Sequence, residues 1–528
     1  MNAAGPGDAL IEALRDPAAY PHAVVEPVRV VETHISWVLL TGPYAYKIKK
    51  PLKLSFLDYS TPERRRQLCE EELRLNRRLA PDLYLDVVPI VRDDERVRMG
   101  ADCGAPVEHA VRMRQFDTRD ELDALIERDA AERTELARLG ERLGHIHATA
   151  IPADRASDHG SAPRVQRITL DNFIEIESLG LTEPVPANVG RLRDWAAAEF
   201  ARIEPMLQDR HRHGWIRECH GDLHCANVVR WRGALTPFDG IEFDPALRFI
   251  DVVNDLAFLT MDLAARGRAD LRHAVLNAWT ESLGDYASLP LLPYYEAYRA
   301  LVRAKVAGLR TRQHAPGSQS SRAALADVQR YLDWALAGTR RAPPMLLITC
   351  GLSGSGKTWL ARRLAPGLGA LHVRSDIERK RLAGLAPLAD SRSPPDAGLY
   401  TREFNTRTYA RLAECAQACL QGGESVIVDA AFLRRAERSD LLAVGGQAGA
   451  KTAILHCAAP LDTLRARIAS RRDAGGDASE ADVSLLDRQP AYWETLADAE
   501  RAVAIDVDTT SQQSIDECVD RLRRDEGS

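Results

Sequence analysis

Residues 351–358 read Gly-Leu-Ser-Gly-Ser-Gly-Lys-Thr, which fits the pattern G-x-x-x-x-G-K-[ST] at every fixed position. No other stretch constrains the fold as much, because this chemistry works only between a strand and a helix. A phosphate chain carries dense negative charge. Successive backbone N–H groups of a glycine-rich turn can converge on it, and glycine permits the tight path. The following helix adds the positive end of its dipole. Both flanks are present. Met345–Cys350 is a short apolar run after Pro343 and Pro344, as expected of a buried strand, and Leu360 and Leu364 share one face of a helix predicted over 357–364. A chance glycine-rich turn would require neither flank. Gly351, Leu352, Ser353, Gly354, Ser355 and Gly356 are expected to wrap phosphates, with Lys357 reaching the β and γ phosphates of ATP and Thr358 holding Mg2+.

Downstream, residues 370–373, 425–429, 451–457 and 502–507 read as strands, and 402–420, 433–444 and 461–472 as helices. Alternating strands and helices imply an α/β doubly wound parallel sheet, with ligands at the carboxyl ends of its strands. Asp376 and Asp429 fall at such ends. Asp429 closes an apolar run, resembles a Walker-B aspartate, and could hold Mg2+ through water; the competing reading is a strand-end carboxylate that caps a turn. Ala430 follows it where motor ATPases usually place an acid, which argues against a motor.

The stretch Arg374-Ser375-Asp376-Ile377-Glu378-Arg379 resembles the Asp-x-x-Arg element of P-loop small-molecule and polynucleotide kinases. That resemblance implies that Asp376 accepts the proton of an acceptor hydroxyl and that Arg379 binds a substrate anion. The competing reading makes Ser375 or Asp376 a helix cap. Arg467 and Arg471 stand at i, i+4 on a predicted helix, followed by Asp473-Ala474-Gly475-Gly476-Asp477. They fit either a phosphate-covering arginine lid of the nucleotide-kinase kind or a solvated basic face.

A second signature lies upstream. His220-Gly221-Asp222-Leu223-His224-Cys225-Ala226-Asn227 resembles the catalytic loop of aminoglycoside phosphotransferases and their protein-kinase-like relatives. By that resemblance Asp222 meets the acceptor hydroxyl and Asn227 reaches Mg2+. Asp239 is the expected metal-bound aspartate on the next strand, with Glu242 as a second candidate, while Asp251 and Asp255 are read as scaffold. Zinc on His220, His224, Cys219 and Cys225 is discounted, because no second ligand cluster has zinc spacing.

An ATP-binding lobe should precede this loop. Residues 37–40 and 44–48 read as a hairpin around Gly42 and Pro43. Lys47 is the expected phosphate-binding lysine; Lys49 and Lys50 are rivals, and periodicity cannot separate 47 from 49. In the charge-rich helix predicted over 63–79, Glu72 is favoured over Glu70 and Glu71 as the lysine's partner. Thr33-His34-Ile35-Ser36 occupies the bend where protein kinases carry glycines, so hydroxyl and backbone donors would have to serve there. Residues 107–113 resemble the hinge strand that contacts adenine.

The stretch ending at Pro51, Phe56-Leu57-Asp58, the His220 loop, Phe238-Asp239-Gly240-Ile241-Glu242-Phe243 and the phosphate-binding loop together resemble a bacterial two-domain family. In it, an aminoglycoside phosphotransferase-like domain is fused to a P-loop domain of AAA-family or zeta-toxin-like kinase type. The resemblance implies an α+β protein-kinase-like domain over 1–337, a linker over 338–344 and an α/β P-loop domain over 345–528. The Pro-rich stretch 386–398 reads as a mobile loop near the second site.

The formal net charge of −6 gives no long-range attraction to nucleic acid. The nine cysteines lack paired spacing, which fits free thiols in a reducing compartment. Residues 1–20 lack a secretory pattern and no uncharged apolar run is long enough to span a bilayer, so a cytoplasmic protein without a membrane partner is expected. The expected activity is ATP-dependent phosphoryl transfer to a hydroxyl of a small molecule, with two ATP-type sites. The rivals are a nucleotide-sensing module with little turnover and a polynucleotide 5′-hydroxyl kinase. The latter requires a basic groove.

Overall fold

The computed structural model describes residues 6–54, 57–93, 96–100, 104–340, 342–391, 393, 397–474, 478–480 and 483–526. Phe56 and Gly475-Gly476-Asp477 lie outside the described residues. Two compact units emerge. One comprises Met1–Glu135, Thr149–Val165 and Leu207–Leu259, and the other Leu136–Ala148, Gln166–Met206 and Thr260–Ser528. The division does not fall at 338–344. The helix Gln319–Gly338 ends there and a strand begins at Met345, yet both belong to the second unit.

The first unit is built on a six-stranded antiparallel sheet. Its strands are β1 (Arg29–Glu32), β2 (Ser36–Leu40), β3 (Tyr44–Lys49), β4 (Tyr84–Asp93), β5 (Arg96–Met99) and β6 (Pro106–Arg114), in the order β1-β2-β3-β6-β4-β5. β2 and β3 form the expected hairpin, with Val38 opposite Lys47. β3 is an inner strand with Ala45 to Lys49 all buried, so its lysines sit inside the protein. Helix α1 (Pro62–Arg77) packs on this sheet. Thr61 accepts the Arg64 N–H as its cap, Pro62 opens it, Glu63 lies in its first turn and Arg74 and Arg77 in its last. Each of these features favours a helix at that end. Leu39, Tyr46, Ile48, Ile90 and Ala110 form part of one core beneath the sheet, and Ala45, Cys69, Tyr84, Val111 and Val229 part of another. A second hairpin, β7 (Val228–Trp231) with β8 (Ala234–Pro237), follows the His220 loop.

The second unit includes helix α2 (Ala269–Leu283) and a five-stranded, wholly parallel sheet. The strands are β9 (Met345–Cys350), β10 (Leu371–Arg374), β11 (Val426–Asp429), β12 (Lys451–Ala458) and β13 (Ala504–Asp508), in the order β10-β11-β9-β12-β13. Helices α3 (Lys357–Leu364), α4 (Ser375–Leu382), α5 (Arg402–Gln421), α6 (Arg435–Gln447) and α7 (Leu461–Ala474) connect them. The α/β alternation read from the sequence is therefore present. β9 is buried throughout, as a central parallel strand should be. Leu347, Leu360, Leu364, Ile427, Leu455 and Val507 share one core.

Eight cysteines are described, all buried and none disulfide-bonded; Cys103 lies outside the described residues. No helix among the described residues is long and apolar enough to cross a membrane.

Candidate functional sites

The phosphate-binding loop joins β9 to α3, as its chemistry requires. Gly351, Gly354 and Gly356 have φ of 144°, 79° and 87°. A Cβ at Gly354 would stand 2.7 Å from the Leu464 carbonyl, so glycine is demanded by both backbone and space. The loop is braced from outside. Gly351 N–H donates to Ala431 O at 3.1 Å, and Ser353 N–H donates to Gln489 Oε1 at 2.7 Å. Lys357 folds back to donate to the carbonyls of Gly351 at 2.9 Å and Leu352 at 2.8 Å. Burial lowers the pKa of its ammonium, although Asp429 and Asp376 act against that.

Asp429 ends β11 beside the loop. His372 Nε2 donates to its Oδ2 at 3.1 Å and Thr349 Oγ1 donates to its Oδ1 at 3.3 Å, and the Thr358 hydroxyl lies near enough to favour its ionised form. Burial pushes this carboxyl up. The His372 hydrogen bond and charge, with Thr358 and Lys357, outweigh burial and bring it down to about 2. Asp429 is therefore a carboxylate within reach of Thr358, a hard oxygen pair of the kind Mg2+ takes. Nothing in the sequence pointed to His372. Its role depends on β10 and β11 being neighbours, with Arg374 opposite Asp429 in register.

Asp376 lies in the first turn of α4. The cap position belongs to Arg374, which makes no side-chain cap bond, so Asp376 is not spent as a cap. It lies close enough to Lys357 and Tyr400 to shift both electrostatically. Arg379 is buried. It donates to Leu399 O at 2.8 Å and Asn405 Oδ1 at 2.6 Å, and its guanidinium lies over the Tyr400 ring. Its Nε is buried without a hydrogen-bond partner among the described residues.

Arg467 and Arg471, read as either a lid or a solvated basic face, differ. Arg467 braces the loop: it donates to Thr509 Oγ1 at 2.8 Å, Thr509 O at 3.1 Å and Gly354 O at 3.4 Å. Thr509 Oγ1 in turn donates to Ser355 O at 2.8 Å. Arg471, one turn on, is partly buried on α7 and is not among these contacts. Thr509 was invisible to motif reasoning because it comes from the chain's last strand connection.

In the first unit the structure brings Lys47 and Lys49 together on Glu72. Lys47 Nζ lies 2.9 Å from Glu72 Oε1 and also pairs with Asp239; Lys49 Nζ lies 2.6 Å from Glu72 Oε2 and also pairs with Glu242. Tyr59 donates to the same Glu242 oxygen. Burial would pull both lysines down, but Asp239, Glu72 and Glu242 outweigh it at Lys47, and Glu242 and Glu72 at Lys49, holding both well above the usual lysine range. Burial likewise pushes Glu72 up, and Lys47 and Lys49 bring it down to about 2. Lys50 stands apart, paired with Glu32 at 2.6 Å. The tie between 47 and 49 is thus geometric fact: α1 presents one carboxylate to both. The Thr33 hydroxyl is used inside its own turn, donating to Ser36 O at 3.0 Å, while Ser36 Oγ is buried without a partner among the described residues.

Asp222 is partly exposed. Asn227 Nδ2 donates to its Oδ2 at 3.0 Å, and His224 Nε2 lies 3.4 Å from the same oxygen. His220 shapes the loop: its Nε2 donates to Phe238 O at 2.8 Å, and its Nδ1 accepts the Asp222 N–H at 3.2 Å. Asp255 accepts the N–H groups of His220 and Gly221 at 3.1 and 2.8 Å, and Asp251 pairs with Arg210 at 2.6 Å. Asp239 has φ of 62° and a half-exposed side chain, held by its N–H on the Tyr84 hydroxyl and by Gly240 N–H on Asn76 Oδ1.

Both donor sets fit the groups the motifs imply. The phosphate-binding loop offers a cradle that a Cβ would fill and a Ser355 Oγ buried without a partner among the described residues. Asp222, Asn227 and Asp239 offer oxygens for a hard cation.

Residues 346–496 match the family model of an AAA domain. An uncharacterized protein of Mycobacterium tuberculosis is 29% identical over 469 residues, covering 89% of this chain and 91% of its own. Among solved structures, a sugar kinase from Janibacter sp. is 24% identical with a TM-score of 0.26, covering 34% of this chain and 95% of its own. A choline/ethanolamine kinase family protein from Mesorhizobium loti is 14% identical with a TM-score of 0.34, covering 63% and 99%. The chain thus carries an AAA domain at residues 346–496, fused behind a separate antiparallel-sheet unit with its own lysine–glutamate cluster and His220 loop.

Proposed function

We propose that this protein is an ATP-dependent phosphotransferase that moves a γ-phosphoryl group to a hydroxyl of a small molecule, with an ATP-type site in each unit. One observation carries the reading. Asp429 is held ionised against Thr358 at the mouth of the phosphate-binding loop, while Asp376 stands near Lys357 and is not spent as a helix cap. Bound ATP with Mg2+ would supply the phosphoryl group and screen its charge. The chain's own residues do the rest. The loop N–H groups and Lys357 hold phosphate oxygens, Thr358 and Asp429 hold the cation, and Asp376 orients the acceptor hydroxyl and takes its proton. Arg379 presents a cation on the acceptor side.

In the first unit, Lys47 and Glu72 supply the phosphate-side cation and its anchor, Asn227 and Asp239 the cation ligands, and Asp222 the base. The net charge of −6 favours a small acceptor over a nucleic acid. A metabolite extract incubated with γ-labelled ATP tests this on the wild type, Asp222→Asn and Asp376→Asn. The expected result is a labelled product lost in one variant, which assigns it to that unit. ATP binding with no labelled product in any sample would replace the reading with a nucleotide-sensing one.

A further inference from the structure

β10 is one of the two edge strands of the parallel sheet. An edge strand presents backbone donors and acceptors to whatever lies beside it. Here that neighbour is α2, which precedes the phosphate-binding loop in the chain. His273 Nε2 donates to Ala370 O at 2.7 Å, and Asn277 Oδ1 accepts the N–H of His372 at 2.7 Å. Residues 273 and 277 are one helical turn apart, so a single face of α2 serves both groups. Charged groups hold the same seam: Arg272 pairs with Glu296 at 2.9 Å and with Glu424 at 2.6 Å, and Arg411 donates to Gly284 O at 2.9 Å.

His372 makes a second connection. Its backbone is held by Asn277, and its ring donates to Asp429 at 3.1 Å. Both side chains are only 5% exposed. A carboxylate beside a cation site has two oxygens and several rotamers, and the hydrogen bond it accepts decides which oxygen faces the cation. A histidine ring can fix that rotamer only if its own backbone is fixed. On an edge strand, only one side is fixed by the sheet.

We propose that Asn277 and His372 are positioning residues for Asp429, so that a helix outside residues 346–496 sets the acidic partner of the phosphate-binding loop. The inference rests on Asp429 serving the cation of a bound nucleotide. It goes beyond that reading by making the site's cation affinity a property of α2.

The test uses the full chain and isothermal titration with ATP, with and without Mg2+, reading the component of binding that Lys357→Ala abolishes. Melting temperature is recorded in parallel. Asn277→Ala should weaken Mg2+-dependent binding about three- to tenfold, the size of one hydrogen bond, and leave Mg2+-free binding unchanged. Asn277→Asp keeps an acceptor oxygen and should restore it. His372→Ala should weaken it about 10- to 100-fold, as loss of a partner behind a cation ligand does, and His372→Gln should recover part. The Asn277→Ala/His372→Ala double variant should be no worse than His372→Ala alone, because the first acts through the second. Losses that multiply in the double variant, or a lowered melting temperature with unchanged Mg2+-dependent affinity, would overturn the relay alone. Lys357→Ala leaving ATP binding unchanged would overturn the nucleotide reading and the relay with it.

Discussion

Lys357 places its ammonium 2.9 Å from the carbonyl of Gly351, the first residue of the loop that it closes. The loop thus supplies its own lysine with acceptors, and phosphate must displace them. Lys357→Ala is expected to lower ATP turnover at this site by at least about 10²-fold, the scale of losing one charged transition-state donor. Steady-state kinetics on the labelled product measures it.

Gly354→Ala is expected to cost about 1–3 kcal/mol of stability in the second unit, since it combines a left-handed backbone with a missing space. Nucleotide binding at the loop should be lost with it. Urea denaturation and titration calorimetry on the same preparation give both numbers.

Glu72 serves two buried ammonium groups, but Asp239 still pairs with Lys47 and Glu242 with Lys49, so Glu72→Gln should destabilise the first unit by less than the roughly 3–5 kcal/mol of a buried charge left unpaired. The wild type should also show an acid dependence of known sign. The folded carboxyl sits at about 2 against an ordinary 4.5, so its contribution is present above pH 4.5 and is lost as pH falls toward 2. Stability against pH, measured by denaturant titration, should fall less steeply in that window for the glutamine variant.

Arg467→Ala should raise the dissociation constant for nucleotide about three- to tenfold with a smaller effect on turnover, because Arg467 braces the loop through Thr509. Thr509→Val should act in the same direction. A lid arginine would show the opposite split.

The phosphate-binding loop was legible because its chemistry fixes residue type and spacing together. The strand alternation around it was legible because apolar runs and loop residues alternate at matching lengths. What escaped was whatever depends on strands or helices far apart in sequence meeting in space. Lys47 and Lys49 share one strand face, and only the approach of α1 shows that Glu72 takes both. His372 is one residue in an apolar strand until β11 lies beside it. Arg467 reads as either a lid or a solvated basic face, and neither reading contains the Thr509 that β13 brings to it. The expected division at 338–344 marks a change of local pattern. The compact units instead follow packing, which joins 260–344 to what comes after.

The buried thiols make the protein its own stopwatch. Burial pushes Cys350 up to about 11 and Cys457 and Cys69 up to about 12, so none reacts while its surroundings stay closed. Modification by an added reagent would therefore time local opening. Cys350 directly precedes Gly351, and the Cys457 carbonyl crowds the same glycine, whereas Cys69 lies beneath the sheet of the other unit. A ligand that tightens the phosphate-binding loop would slow the first two clocks and leave the third running at its own rate.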